Sequence, residues 1–222
     1  MARKTKEAAQ ATREGILDAA QSCFHEFGVA NTSLAMIGER AGYTRGAVYW
    51  HFKNKTEVLT AMIDRERLPF IERLRRTTSS RRNTPVLDLR SALLVSFQEL
   101  ATDERLRNMM EIMLRNDLSV ESQAMQQLQL EASREELGIF AAAFQRAASL
   151  GQLRPGVDVD TVARIVSTSL TGVLYSAMLE PELFELQRDG QQTLDAIFGA
   201  FVMPGVFTPG APPTALPTDD EV

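Results

Sequence analysis

Seven side chains within twelve consecutive positions carry most of the recognisable chemistry of this chain: Thr44, Arg45, Tyr49, Trp50, His51, Lys53 and Lys55. They supply hydroxyls, a guanidinium fork, an imidazole, two ammonium groups and aromatic faces, with no nucleophile paired to a base. Such a set is suited to recognition rather than to bond breaking. A guanidinium can hold the O6/N7 edge of guanine through two hydrogen bonds, contributing about 1–3 kcal/mol of discrimination. Hydroxyls, amines and imidazoles suit phosphate oxygens. Gly46 and Ala47 keep the intervening surface low, so Arg45 can approach base edges while Tyr49 and His51 face flanking phosphates. Lys53 and Lys55 stand at the start of the next helix, whose free amides and dipole also attract phosphate. Two positions have alternative readings. Trp50 either packs its edge on the first helix or lies on the nucleic-acid side, and His51 is either structural or a phosphate ligand.

These residues need a rigid mount. Thr32 to Lys55, TSLAMIGERAGYTRGAVYWHFKNK, reads as two short helices joined by a glycine turn. Gly38 is the small residue needed where the helices cross, Gly42 makes the turn, and Ile37, Ala41 and Val48 lock the second helix onto the first. Thr44 is placed to cap the second helix with its hydroxyl. A helix so mounted fits the major groove of DNA. The expected DNA contacts are Ser33, Thr44, Arg45, Gly46, Tyr49, Trp50, His51, Lys53 and Lys55.

The formal net charge of −5 alone argues against a nucleic-acid partner, but its distribution reverses that inference. Residues 1–55 hold eight Lys/Arg against five Asp/Glu, a balance of +3, which leaves −8 for the rest. One end is suited to phosphate and the other to something else. The basic stretch ARKTK at the start is either a soluble tail or an arm on the DNA backbone. The single cysteine, Cys23, excludes an internal disulfide and fits a reducing, cytoplasmic setting. It lies on the apolar stripe of the first helix, as a packed thiol. The uncharged run Ile165 to Leu179 is 15 residues, short of the roughly 20 needed to span a bilayer. No membrane partner is expected.

Apolar residues recur at three- and four-residue spacing nearly everywhere before Val202, which predicts an all-α chain of about nine helices. Helix one stops at Gly28, helix two runs from near Ser33 to before Gly42, and helix three starts at Thr44. Helix four runs from about Asn54 to Thr78, with Pro69 expected to bend or break it. Thr84-Pro85 predicts the cap and first turn of helix five. Helix six covers about Asp103 to Asn116, helix seven Ser119 to Leu150, helix eight opens at Asp158 and closes near Pro181, and the last spans about Gly190 to Val202. The expected domains are a DNA-binding head over 1–55, a ligand-binding and dimerisation body over 56–202, and a disordered tail over 203–222, which holds five of the nine prolines.

In the body, Met109, Met110 and Met113 give helix six an adaptable apolar surface. With Phe70, Leu93, Ser96, Phe97, Leu114, Phe140, Phe144, Leu170, Thr171 and Leu174 they are read as an apolar chamber carrying a few hydroxyls; ordinary core packing is the alternative for any one of them. The small face of helix eight, Ser169, Gly172, Val173 and Ser176, and the stripe Leu194, Ile197, Phe198 and Phe201 on the last helix are read as an isologous dimer interface, with intramolecular packing as the alternative. Pairing also suits the task, because one head reads few base pairs. Both histidines, His25 and His51, lie in the head, so no metal or cofactor site is expected, and Glu111, Arg115 and Asp117 are read as solvated or locally paired charges.

The stretches MARKTKEAAQATREGILDAAQSCFHEFGVANTSL and AGYTRGAVYWHFKNKTEVL closely resemble the DNA-binding head of the TetR family of repressors, in the efflux-pump branch typified by AcrR, TtgR and SmeT. The body resembles it more weakly, in MEIMLRND, LGQLRPG and MLEPELFEL. The resemblance implies an all-helical homodimer on a palindromic operator, with Thr44, Arg45, Tyr49, His51 and Lys55 at DNA-contacting positions. It further implies a multidrug-efflux repressor, not an enzyme, released when a hydrophobic drug-like effector among helices five to eight pushes helix four. Met110 and Leu114 stand where that branch carries polar side chains, which implies a more apolar chamber. An effector-independent regulator whose body makes protein contacts is the alternative.

Overall fold

A computed structural model describes residues 2–114 and 120–221. Among these residues the chain is all-helical: α1 (Ala2–Phe27), α2 (Leu34–Ala41), α3 (Arg45–His51), α4 (Lys55–Ser79), α5 (Pro85–Thr102), α6 (Glu104–Leu114), α7 (Val120–Ser149), α8 (Val159–Leu179) and α9 (Leu186–Phe201), with a 3-10 turn at Asp219–Glu221. The expected end of helix six at Asn116, the start of helix seven at Ser119, and the charges Arg115 and Asp117 lie outside the described residues. The chain divides into two compact units.

The first unit comprises 1–68 and 105–130. Its core gathers Ile16, Leu17, Cys23 and Phe24 of α1, Ile37 of α2, Val48 of α3, Phe52, and Leu59 and Met62 of α4, all nearly or fully buried. Met109 and Ile112 of α6 join the same core, and His25 pairs with Glu111 at 2.9 Å. Helix six therefore belongs with the head, where sequence reasoning assigns it to the body. Charged side chains reinforce the packing. Arg65 reaches Glu14 and Asp18 at 3.0 Å and Glu66 at 2.7 Å, and Arg105 reaches Asp18 at 3.2 Å and Glu66 at 2.7 Å.

The second unit comprises 69–104 and 131–222. Its core is built from Leu74, Leu89, Leu93, Phe140, Phe144, Val162, Val166, Leu194 and Phe198. Gly190 lies inside α9, not at its start; a Cβ there would stand 2.5 Å from the Phe97 ring, so the position requires glycine. The helix begins four residues earlier than expected, at Leu186, behind a turn closed by Asp189 accepting from the Glu185 N–H at 2.8 Å. With Asp160 and Arg164 its only charges, α8 is long and apolar enough by composition to cross a bilayer, so the 15-residue run understates it. Its Val162, Ala163 and Val166 edge is buried in the unit's core.

Pro69 does not end α4, which continues to Ser79. A proline removes one backbone donor and crowds the carbonyl four residues back; the residue is exposed here, on the solvent side of the helix. The boundary between the two units falls at this residue. Thr84 precedes Pro85 as expected but makes no side-chain cap; its hydroxyl donates to Asp88 at 3.1 Å instead. The tail also departs from expectation. Phe207 is buried and Leu216 packs against the core, so residues 203–221 follow the surface of the second unit in place of a free coil.

Candidate nucleic-acid interface

Local capping fixes the helix-turn-helix. Ser33 accepts from the Met36 N–H at 3.2 Å to start α2, and Gly42, with φ of 70°, closes it. The left-handed turn lets the Tyr43 N–H return to the Gly38 carbonyl at 2.9 Å, a Schellman-type ending that favours glycine. Thr44 then accepts from the Ala47 N–H at 3.2 Å to open α3. At the crossing, a Cβ on Gly38 would lie 3.0 Å from Val48 Cγ2. The small residue is thus required by space, as its spacing predicts. Asn54 and Glu57 form a reciprocal cap at the head of α4: the Glu57 N–H donates to Asn54 at 2.8 Å, and the Lys53 N–H donates to the Glu57 carboxylate at 2.7 Å.

This frame divides α3 into two faces. Val48 and the following Phe52 are buried, while Thr44, Arg45, Gly46, Tyr49 and Trp50 are exposed, with Lys53 beyond them. Trp50 is 73% exposed, which removes the core-packing alternative. Its ring stands edge-on to His51 at 4.5 Å. The Arg45 guanidinium lies 5.3 Å from the centre of the Tyr49 ring, a contact one helical turn apart that holds the fork over α3. No tight contact forces a glycine at 46, where a Cβ would meet only Thr44 Oγ1 at 4.0 Å; its contribution is a low profile.

Three predicted contacts are more complicated than their sequence suggests. The Ser33 hydroxyl is already an acceptor for the α2 cap, leaving its O–H available outward. Lys55 directs Nζ to the carbonyls of Val29 and Ala30 at 2.7 and 3.0 Å, so it stitches α4 to the loop before α2 and is not simply a free phosphate ligand. His51 is partly buried, and burial followed by the nearby Arg13 charge holds its pKa below the ordinary histidine value. It therefore offers a neutral imidazole near pH 7, a hydrogen-bonding group and not a cation. Arg13, whose guanidinium covers Phe52 at 5.2 Å, is a neighbour that sequence reasoning misses. It belongs to α1, and nothing in local spacing links it to α3.

The body residues sort differently. Phe144 is fully buried and packs at a tilt against Phe198, with ring centres 5.9 Å apart, so it is core and not chamber wall. Thr171 is exposed and donates its hydroxyl to the Ser167 carbonyl at 3.0 Å. Leu93, Phe97 and Phe140 are buried, and Phe70 and Leu170 are partly buried against the same core, as is Leu174 by exposure. Ser96 donates to the Ala92 carbonyl and accepts from Arg73, both at 2.8 Å. Met110, Met113 and Leu114 lie in the other unit and are partly buried.

The expected dimer stripe on α9 is corrected. Leu194 and Phe198 are fully buried and Ile197 is 8% exposed within the unit's own core, with Phe201 packed against it. An i, i+3, i+4, i+7 stripe identifies a face that must be covered, not what covers it. The residues left facing outward are Ser169, Gly172, Val173 and Ser176 of α8 with Gln192, Thr193 and Ala196 of α9, which line a shallow groove of about 510 Å³. The thiol of Cys23 is buried, and that burial raises its pKa.

Comparison with known proteins agrees with this geometry. Residues 16–62 match the family described as bacterial regulatory proteins, tetR family, and residues 84–203 match the C-terminal region of MAATS-type transcriptional repressors. TtgR, an HTH-type transcriptional regulator of Pseudomonas putida, is 34% identical over 200 residues, covering 88% of this chain and 93% of that protein. The structure of SmeT, the repressor of the Stenotrophomonas maltophilia multidrug efflux pump SmeDEF, is 55% identical with a TM-score of 0.85, covering 94% of this chain and 99% of that one. A SmeT–triclosan complex gives 54% identity and a TM-score of 0.90, with 94% and 100% covered. The chain belongs to the TetR family of bacterial regulatory proteins.

Proposed function

We propose that this protein is a ligand-responsive transcriptional repressor that binds a palindromic operator as a homodimer and controls a multidrug efflux operon. The observation that carries the DNA half is the outward face of α3, where Arg45, Tyr49 and Trp50 are exposed above a buried Val48. Arg45 reads bases, while Thr44, Lys53 and the neutral His51 hold phosphates, with Lys55 bracing the start of α4 beside them and Ser33 and Gly46 at the margin. A dimer presents two such helices to successive major grooves about 34–36 Å apart. Self-association uses the outward residues of α8 and α9, in place of the buried α9 stripe. The protein works by binding, with no catalytic step, in the cytoplasm where its operator lies.

The effector half rests on the C-terminal unit, where Phe70, Leu170 and Leu174 are only partly buried, and on the relative solved with triclosan. A hydrophobic guest that favours the DNA-free state by roughly 5.5 kcal/mol moves the equilibrium from 1:99 to 99:1. Footprinting of DNA beside the protein's own gene tests the first half: a protected palindrome is expected, and its absence refutes operator binding. Titrating triclosan onto the footprinted complex tests the second. Release with saturable thermal stabilisation is expected, and neither effect at the solubility limit refutes it for this class.

A further inference from the structure

The segment after residue 203 lies beyond the matched family region and has the composition of free coil, yet side chains of α5 and α9, with Arg81 and Arg82 before α5, hold it along its length. Phe207 is the anchor. It is 8% exposed, meets Phe198 edge-on at 5.9 Å and lies beneath the Arg90 guanidinium at 5.4 Å. Three residues later the Gly210 N–H donates to Asp195 Oδ2 at 2.7 Å, with φ of 77°, a conformation that strains other residues. The other Asp195 oxygen holds Arg90 at 2.8 Å. The Thr214 N–H donates to Ser91 Oγ at 2.9 Å, with the two hydroxyl oxygens 3.0 Å apart, and Ser91 is 1% exposed. Arg82 donates to the Ala215 carbonyl at 2.7 Å, and the Arg81 N–H donates to the Glu221 carbonyl at 2.8 Å.

An aromatic anchor followed by main-chain groups bonded by fixed side chains is how a surface recognises a peptide segment. Pro209, Pro212, Pro213 and Pro217 narrow the conformations of the undocked segment and so reduce the entropy cost of docking. We propose that the α5–α9 surface is a binding site for a proline-bearing, turn-containing peptide, that its occupant is the chain's own residues 204–221 docked in cis, and that undocking this strap loosens α9. The strap holds α9 through Asp195 and Phe198, which are not among the residues lining its outward groove, so release would also weaken self-association; that last step rests on the proposed function.

Hydrogen exchange on the full chain reads docking directly. Amides over 207–216 should exchange at least tenfold more slowly than in an unstructured peptide. Gly210→Val, which leaves the core intact, and Phe207→Ala should both return them to coil rates and speed exchange in α9. Coil rates in the wild-type chain would overturn the site, and unchanged α9 exchange in both variants would overturn the loosening. Oxidising a Ser91→Cys/Thr214→Cys chain should give a cross-link within one chain, and a band of two linked chains would overturn cis docking. Sedimentation of the same samples separates the two readings. Wild-type chain that never pairs removes the self-association assignment alone, whereas pairing unchanged in both undocked variants removes the strap's influence on it.

Discussion

Replacing Arg45 by alanine isolates base reading from folding. The side chain is exposed, its ring partner is Tyr49, and no carboxylate pairs with it among the described residues. Its removal leaves no buried charge behind, so stability should change by no more than about 0.5 kcal/mol. Each lost bidentate contact to guanine removes about 1–3 kcal/mol. A symmetric dimer loses two, about 2–6 kcal/mol, which is roughly 30-fold to more than 10⁴-fold in operator affinity. Fluorescence anisotropy with the footprinted duplex and a scrambled one, from about 50 to 200 mM salt, reads both affinity and specificity. The operator complex should weaken far more than the scrambled one. Lys53→Ala provides the contrast: it should weaken both duplexes alike and flatten the salt slope by about one per head. An Arg45→Ala protein that keeps wild-type operator affinity, or loses both duplexes equally, would refute the placement of Arg45 against bases.

Three further perturbations probe the frame. Phe198→Ala empties a fully buried site between Phe144 and Phe207 and should cost about 3–5 kcal/mol, lowering the melting temperature by roughly 6–20 °C; unchanged melting would return Phe198 to an external face. Gly38→Val forces a side chain to within 3.0 Å of Val48 and should cost about 1–3 kcal/mol, with operator binding reduced alongside melting; an unaffected operator complex would count against the crossing as the mount for α3. Burial pushes the Asp88 carboxyl above its ordinary pKa, against the pull of Arg82, Thr84 and Arg146. The folded state therefore binds more protons than the unfolded one in the window just above pH 3.8, and stability falls as pH rises through it. Asp88→Asn should thus stabilise the protein more at about pH 7 than at about pH 4, and an equal shift at both would contradict the raised value.

Local chemistry made the head legible. Ser33, Gly42, Thr44 and Asp158 end or begin helices through bonds to residues three to five positions away, so type and spacing suffice. Long-range partners were not legible in the same way. The stripe Leu194, Ile197 and Phe198 announces a covered face, but only the fold shows that its own unit covers it. Gly190 reads as a helix boundary because glycine is unfavourable inside a helix; the Phe97 ring that requires it lies far away in sequence. Lys55 has the charge of a phosphate ligand, yet two carbonyls across the unit claim it. Composition classes the tail as coil because prolines and small residues dominate it, while one phenylalanine and two backbone amides anchor it to α5 and α9.

The carboxylates that clasp Arg65 and Arg105 give ionic strength a second target inside the protein. Counterions that compete for operator phosphates also shield Asp18 and Arg105, both about half exposed, whereas Arg65 and Glu66 are sheltered at 18% and 10%. Concentrated salt therefore slackens the brace joining α1, α4 and α6 from its outer rim inward while it strips the protein from DNA. A steep loss of binding across a salt series combines both effects, and melting curves recorded across the same series would separate them.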